Sequence, residues 1–402
     1  MVSSATARIF AGPSAAYIET ARDGALQAID RLAGAWDSLP ATNPMGQAIW
    51  AKSCAEAFGI GRRLDVVTVG PADRPRAVIP LFVPSEGPAR LEVLGASMLG
   101  EPADLVSADP QALADLCRAL AGRKLPVFLG RVPADSPTIA AVQRAYRGRG
   151  AVFTRPAKPY PTIPLDASWQ DPDQHLTPRR RSDLRRARRR AEALGPLAVE
   201  THAPSPSELA PLLEEAFRVE EKSWKGRAQT AMAKDQVRGD FFRRYTDAAA
   251  RQGILRLCFL RINGRAAAMQ IAIEHANRYW LLKIGYDEEL GRCSPGMLLL
   301  SESVRRAAER GLEGYEFLGN VAPWTRVWTQ IERNCVAIRA YPASVHGLSQ
   351  LAADGARYAA RKLWSLSQRA APAEAAPADD EAGSESMSES SASTDKKADG
   401  HS

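Results

Sequence analysis

The chain is 402 residues long, 45% hydrophobic and 25% charged, an ordinary globular composition with room for two domains of about 100–200 residues. No stretch approaches the ~18–20 uncharged apolar residues that a membrane span needs, and the five cysteines and five histidines are too scattered for a disulfide framework or a zinc site. The net charge of +7 is uneven: residues 371–402 carry eight acids against two lysines, which leaves about +13 on the rest.

The N-terminal stretch MVSSATARIFAGPSAAYIETARDG lacks an apolar segment of secretory type, which points to a cytoplasmic protein. Strands are expected over 64–70, 76–83 and 89–95, then a helix over 110–122, a strand over 125–130, a helix over 136–148 and a strand over 151–156. The proline-rich segment PAKPYPTIPLDASWQDPDQ reads as a boundary between two halves. It is followed by RRRSDLRRARRR, Arg179 to Arg190, with eight arginines against one aspartate.

Helices over Ser207–Ser223 and Val237–Arg251 precede three strands, Leu255–Ile262, Arg265–His275 and Arg278–Tyr286. Asn263-Gly264 suits a type I′ hairpin turn, whose two central positions need positive φ, so these strands should form an antiparallel meander. The polar stretch Asp287–Gly296 leads into an amphipathic helix on Met297, Leu300, Val304 and Ala307, with Gly311 placed to end it. A buried strand at Tyr315–Gly319, a short helix in PWTRVWTQI and a last strand, CVAIRAY, complete the folded part. The tail over 371–402 has almost nothing to bury and should be disordered.

The two halves share an element order. The helices starting near Pro110 and Met297 lie about 187 residues apart, and strands Val127–Gly130 and Glu316–Gly319 are offset by 189. Duplication explains this with one assumption; two α/β domains sharing an order by coincidence is the alternative. The division expected is 1–165, 166–370 and a tail over 371–402.

Chemistry concentrates at Asp287–Met297. A helix N-terminus exposes unpaired N–H groups at the positive end of its dipole and so can hold a pyrophosphate, Gly296 would let phosphate near the backbone, and Pro295 spares one amide. An ordinary helix cap reads the same way. The arginine run has no interleaved aromatic for base stacking. It reads as a solvated face, a contact for a polyanionic acceptor or the donor's phosphates, or a tRNA contact.

Four blocks carry a family resemblance: RRRSDLRRARRRAEALG, EEKSWKGRAQTAM, KIGYDEELGRCSPGMLLL and YEFLGNVAPWTRVW. Together they resemble the CelD-like acyltransferase domains of the GNAT superfamily, found in cellulose and exopolysaccharide loci and related to the FemAB aminoacyl transferases. The resemblance implies an α/β (α+β) fold of two tandem GNAT-like domains, each a mixed, largely antiparallel twisted sheet flanked by helices, the first degenerate. It implies transfer of an acyl group, acetyl foremost, from acyl-CoA to an amine with no covalent enzyme intermediate and no metal. The acceptor expected is a small molecule or glycan precursor such as an amino sugar, and a peripheral position at the inner membrane is compatible with it.

The residues it implicates are Tyr286, Arg292, Ser294, Gly296 and Met297 for the donor, and Trp224, Lys225, Lys283, Asn320 and Trp324 for the acceptor. Asp287, Glu221 and Glu316, in that order, are candidates for the base. Asp287 also reads as a turn former, Glu221 as an i,i+4 partner of Lys225, and Trp224 as core. The chain departs from the family's Arg/Gln-x-x-Gly-x-Gly/Ala turn by reading Arg292-Cys-Ser-Pro-Gly296-Met297, and from its Tyr-Lys pair by Trp324-Thr325. An aminoacyl-tRNA-dependent transferase and a non-catalytic polysaccharide-assembly protein are the competing readings.

Overall fold

Strands 255–262, 265–275 and 278–286 alternate side chains between two apolar faces, so this part of the sheet must be covered on both sides. The computed structural model, which describes residues 18–21, 24–223 and 235–370, covers it with helices. The first half contains β1 (Ile18–Ala21), α1 (Ala25–Asp37), α2 (Ala48–Phe58), β2 (Leu64–Val69), β3 (Ala77–Phe82) and β4 (Leu91–Val93). It continues with α3 (Ala96–Leu99), β5 (Val106–Ser107), α4 (Pro110–Ala121), β6 (Val127–Pro133), α5 (Thr138–Ala145) and β7 (Gly150–Pro164). The second half contains α6 (Pro178–Glu192), β8 (Leu197–His202), α7 (Pro206–Glu221), α8 (Gln236–Arg251), β9 (Leu255–Ile262), β10 (Arg265–His275) and β11 (Arg278–Tyr286). Then come α9 (Pro295–Glu309), β12 (Gly314–Glu316), β13 (Glu332–Pro342) and α10 (Val345–Ala370). Residues up to Leu351 form one compact unit, and the described part of the second unit is the remainder of α10. The tail expected to be disordered lies outside the described residues.

The strands form one mixed sheet in the order β1-β2-β3-β4-β6-β13-β7-β12-β11-β10-β9-β8, with β5 paired to β3. Each half has a three-strand meander, a helix, and a strand returning parallel to the meander's last strand. The registers repeat as well. Leu91 pairs with Val127, and Arg278 with Gly314, both partners standing 187 positions further along the chain. The final strands cross over: β13 from the second half pairs with β6, and β7 from the first half pairs with β12. β7 and β13 also pair with each other, along the line where the halves meet.

The first part of the proline-rich segment read as a boundary is therefore strand. Residues 156–164 are the second part of β7, and Pro159 falls at a register shift opposite Arg333 and Cys335. A linker and a proline-containing strand share the same local signals, and only pairing with two distant strands distinguishes them.

One face of the sheet is covered by α1, α2, α7 and α8, which share a core with Val66, Val78 and Phe82 of the first half and Leu257, Phe259, Met269 and Ile271 of the second. The opposite face carries three separate clusters, one in the first half and two in the second. Helices α4 and α5 pack on Val67, Ile79 and Leu81, while α6 and α9 pack on Cys258, Leu260, Ala272 and Leu281. Asn263 and Gly264 both have positive φ, as the expected hairpin requires.

Side chains fasten the halves as well, Arg131 among them. Arg131 on β6 is 10% exposed, and its guanidinium donates to the carbonyls of Lys158 (2.8 Å), Gly100 (2.6 Å), Pro159 (3.2 Å) and Gly319 (2.5 Å). It lies 5.5 Å from the centre of the Tyr160 ring. Replacing it by methionine preserves bulk but leaves four acceptors without their donor. Arg131→Met should lower the unfolding free energy by at least about 1–3 kcal/mol in urea titrations. An unchanged midpoint would show that solvent replaces the guanidinium without loss.

Candidate functional site

β12 is only three residues long, and it pairs with Arg278, Tyr279 and Trp280 of β11. Beyond Trp280 no described strand lies alongside β11 on that side. The cause lies in the chain after Glu316. Phe317 donates its N–H to Pro161 of β7, which holds it to the neighbouring strand (3.1 Å). Leu318 and Gly319 then both take left-handed backbone conformations, φ 55° and 52°, and turn the chain away. A leucine there is strained by about 1–2 kcal/mol, so its burial and its neighbours must hold it. β11 departs in its own way: Ile271 pairs with Lys283 and Ala272 with Leu281, which makes Leu282 an extra, bulged residue.

The gap thus opened runs towards the start of α9. After β11 the chain makes a short 3-10 turn over Glu288–Cys293, and Ser294 follows in a left-handed conformation, φ 45°. Met297 and Leu298 donate to the Ser294 carbonyl at 3.0 and 3.2 Å, Pro295 has no N–H, and helix geometry gives the Gly296 N–H no acceptor of its own. A Cβ on Gly296 would meet only the Tyr286 ring, at 3.5 Å, an ordinary contact. Arg292 and Ser294 are exposed at this turn, and Arg190 of α6 donates to the Arg292 carbonyl at 3.2 Å. Five of the predicted donor residues therefore meet in one place, Tyr286, Arg292, Ser294, Gly296 and Met297. Exposed cations beside a helix N-terminus suit a phosphate group.

The arginine helix packs one apolar side onto the fold. α6 buries Ala187 and Ala191, with Leu184 partly buried beside them. Arg181 folds back onto the carbonyls of Asp173 and Leu176, at 3.3 and 3.1 Å, while Arg185, Arg186, Arg188, Arg189 and Arg190 remain exposed.

The three carboxylates expected as bases stand apart. Asp287 is 1% exposed and accepts from Arg265, from the Glu289 N–H at 3.1 Å and from Lys222 at 3.3 Å. Burial alone would raise its pKa, but these donors hold it below the ordinary carboxylate value. It is a clasp between the end of β11, the start of β10 and the end of α7. Glu316 is fully buried between Arg278 (2.7 Å) and Arg333 (2.9 and 3.1 Å), its oxygens committed to two guanidinium groups. Glu221 is exposed at the end of α7, whereas its neighbour Glu220 is fully buried against β11. A Cβ on Gly285 would stand 3.0 Å from the Glu220 Cα, so that glycine allows the helix to approach the strand.

Among the predicted acceptor residues, Lys283 is half-buried on β11 with its ammonium 4.9 Å from the centre of the Phe242 ring. Asn320 is exposed just after the left-handed turn, and Trp324 is 37% exposed with its ring edge-on to Phe317 at 5.8 Å. Thr325 is buried and bonds to both backbone groups of Ala322, and the neighbouring Arg326 is paired with Glu332. Trp224 and Lys225 lie outside the described residues.

One carboxylate at this gap escaped sequence reasoning. Glu101 follows Gly100 in the first half, and its side chain is 18% exposed. It accepts from the Gly319 backbone and feels both Arg131 and Lys283, yet its Oε2 is enclosed without a hydrogen-bond partner among the described residues. Burial pushes its pKa above the ordinary carboxylate value, against the opposing pull of Arg131, Lys283 and the Gly319 amide. Nothing local in the sequence marks it, because its neighbours are supplied by residues 131, 283 and 319.

Residues 178–326 match the family model of the acetyltransferase (GNAT) domain. The C-terminal domain of a protein described as a lysylphosphatidylglycerol synthetase from Agrobacterium fabrum is similar in structure, with a TM-score of 0.51 at 11% identity over 78% of this chain and 91% of that one. FemX is similar at TM-score 0.51 and 12% identity, over 80% of this chain and 98% of FemX. A conserved protein of unknown function from Bacteroides thetaiotaomicron scores 0.51 at 10% identity, over 84% and 99% of the two chains. At such identities the likeness is one of fold: a large mixed sheet flanked by helices. No curated protein matches the chain significantly in sequence. No helix among the described residues is long and apolar enough to cross a membrane, and no cluster of His, Cys, Asp or Glu among them could hold a metal.

The role of Asp287 as a clasp gives a pH signature. Its folded pKa is lowered, so its stabilisation is present above the unfolded value of ~3.9 and is lost as pH falls through the folded one. Asp287→Asn should be less stable than wild type at pH 7 by about 1–3 kcal/mol, with the gap closing below pH ~4. Thermal or urea unfolding across pH 3–8 measures this, and a difference independent of pH would contradict it.

Proposed function

We propose that this protein is an N-acyltransferase that takes an acyl group, acetyl foremost, from acyl-CoA and passes it to a primary amine. The observation that carries the reading is the parting of β11 and β12 after three paired residues, with a cationic helix N-terminus at the far end of the opening. In this reading the donor's pyrophosphate lies at the Gly296 amide and the Arg292 side chain, and its pantetheine arm runs along the edge of β11. Group-specific chemistry is supplied by the thioester, whose acyl carbon is already activated. The chain's part is to bind, orient and move charge. A backbone N–H at the Leu282 bulge receives the developing oxyanion. The bulge matters because a paired strand would have its N–H groups committed to a neighbour.

The acceptor proposed is an amino sugar or an envelope or exopolysaccharide precursor, entering past Lys283, Asn320 and Trp324. The chain is proposed to divide near residue 165 into a first half without its own transfer chemistry and a second half that carries the donor turn. The exposed guanidiniums of α6, whose Arg190 reaches the Arg292 carbonyl of that turn, favour a second reading. In it, an aminoacyl-tRNA replaces acyl-CoA, with α6 contacting the tRNA backbone.

Gly296→Asp separates donor binding from folding. The site has room for a side chain, and an acid in the first turn of a helix favours the fold, while the same charge repels phosphate. Acetyl-CoA and free CoA should raise the wild-type unfolding temperature, by on the order of 2.7 kcal/mol of stabilisation at 100 times the dissociation constant. The variant should unfold at the wild-type temperature without ligand and lose the shift. Equal shifts in both proteins would sink this placement of the pyrophosphate. A shift from aminoacyl-tRNA alone would favour the second reading.

A further inference from the structure

Of the carboxylates near the gap, Asp287 is held by Arg265, Lys222 and a backbone amide, and Glu316 by Arg278 and Arg333. Glu221 faces solvent. Glu101 differs from all three. It comes from the first half, yet it accepts from the Gly319 backbone after β12 and feels the charge of Lys283 on β11, the two segments that have separated. The nearest guanidinium, Arg131, stands 4.0 Å from Oε2 and directs its N–H groups to four backbone carbonyls instead. Among the described residues Oε2 thus meets no hydrogen-bond donor, and it is shielded from bulk water.

We propose that Glu101 is the proton acceptor for the attacking amine, so that the first half completes the active centre of the second. The assignment rests on the acyl-transfer reading above. In the step, the amine nitrogen bonds to the acyl carbon of the thioester and the carbon–sulfur bond breaks. The proton shed by the nitrogen goes to Glu101 Oε2, and Glu101 returns it to the departing thiolate, which leaves as free thiol. Atoms and charge balance without any further reactant.

The electrostatics fit this cycle. A carboxyl whose pKa lies above the ordinary value is a stronger base than one in water and returns its proton less readily to solvent. The groups that face it are Arg131 from β6, Lys283 from β11 and the Gly319 amide from the loop after β12, and all three favour the ionised form. They oppose the upward pull of burial. Lys283 is itself steadied over the Phe242 ring, so the charge opposite Glu101 is held in position by α8.

The test uses the full chain with Glu101→Gln and Glu101→Asp, acetyl-CoA as donor and glucosamine as the probe amine, with thiol release as the readout. Acetyl-CoA affinity and unfolding temperature are measured in parallel. Expected for Glu101→Gln are unchanged acetyl-CoA affinity and a kcat reduced by about 10²–10⁴-fold. The wild-type rate should rise with pH through a carboxylate-like limb that the glutamine variant lacks and the aspartate variant partly restores. Glu101→Gln with wild-type kcat and an intact limb overturns the assignment and leaves the acyl-transfer reading standing. Wild-type protein that neither binds acetyl-CoA nor releases thiol overturns that reading, and the assignment with it.

Discussion

The structure turns on how briefly β11 and β12 stay together. They share three residue pairs, and then β12 continues along β7 while β11 bulges at Leu282 and leaves. Two left-handed residues, Leu318 and Gly319, make the departure abrupt, and the Gly319 carbonyl is held by Arg131 from the other half of the chain. A parallel pair that ran on would present a closed sheet with its backbone groups satisfied. One that stops early exposes an edge inside the protein, and such an edge is stable only where something else satisfies it. The proposed thioester donor fits that requirement, with an extended arm carrying polar groups along its length.

Arrangement of charge follows from this opening. The carboxylates with structural work are those surrounded by donors: Glu316 locks β12 through Arg278 and Arg333, and Asp287 ties the end of β11 to β10 and α7. Buried ions tightly paired in this way hold geometry rather than exchange protons. Glu101 has the opposite environment, enclosed and only partly compensated, with one oxygen that no donor among the described residues reaches. At the far end, α6 buries only a narrow strip of Leu184, Ala187 and Ala191, so its guanidiniums are displayed beside the α9 N-terminus.

Much of the second half was legible in the sequence. The three meander strands and the helix after them have strong periodicity, an Asn-Gly turn and clear end signals, and their bounds in the structure agree with those cues. The repeat was legible too, as the common offset of 187 residues in the β4–β6 and β11–β12 registers bears out. The exchange of β7 and β13 was not, because pairing partners leave no local trace and prolines within β7 imitate a linker. The proposed donor turn was readable as a contiguous segment. The candidate base was not: Glu101 acquires its environment from three other elements, whereas Asp287 looked suited by position and proves to be clasped.

The central claim is that the donor lies in the opening between β11 and β12, and hydrogen–deuterium exchange with and without CoA addresses it most directly. The account predicts slowed exchange in peptides covering 281–286 and the first turn of α9, with little change at the β4–β6 pair of the first half. Slowed exchange confined elsewhere, for instance around Arg305, Arg306 and Arg310 at the other end of α9, would contradict it.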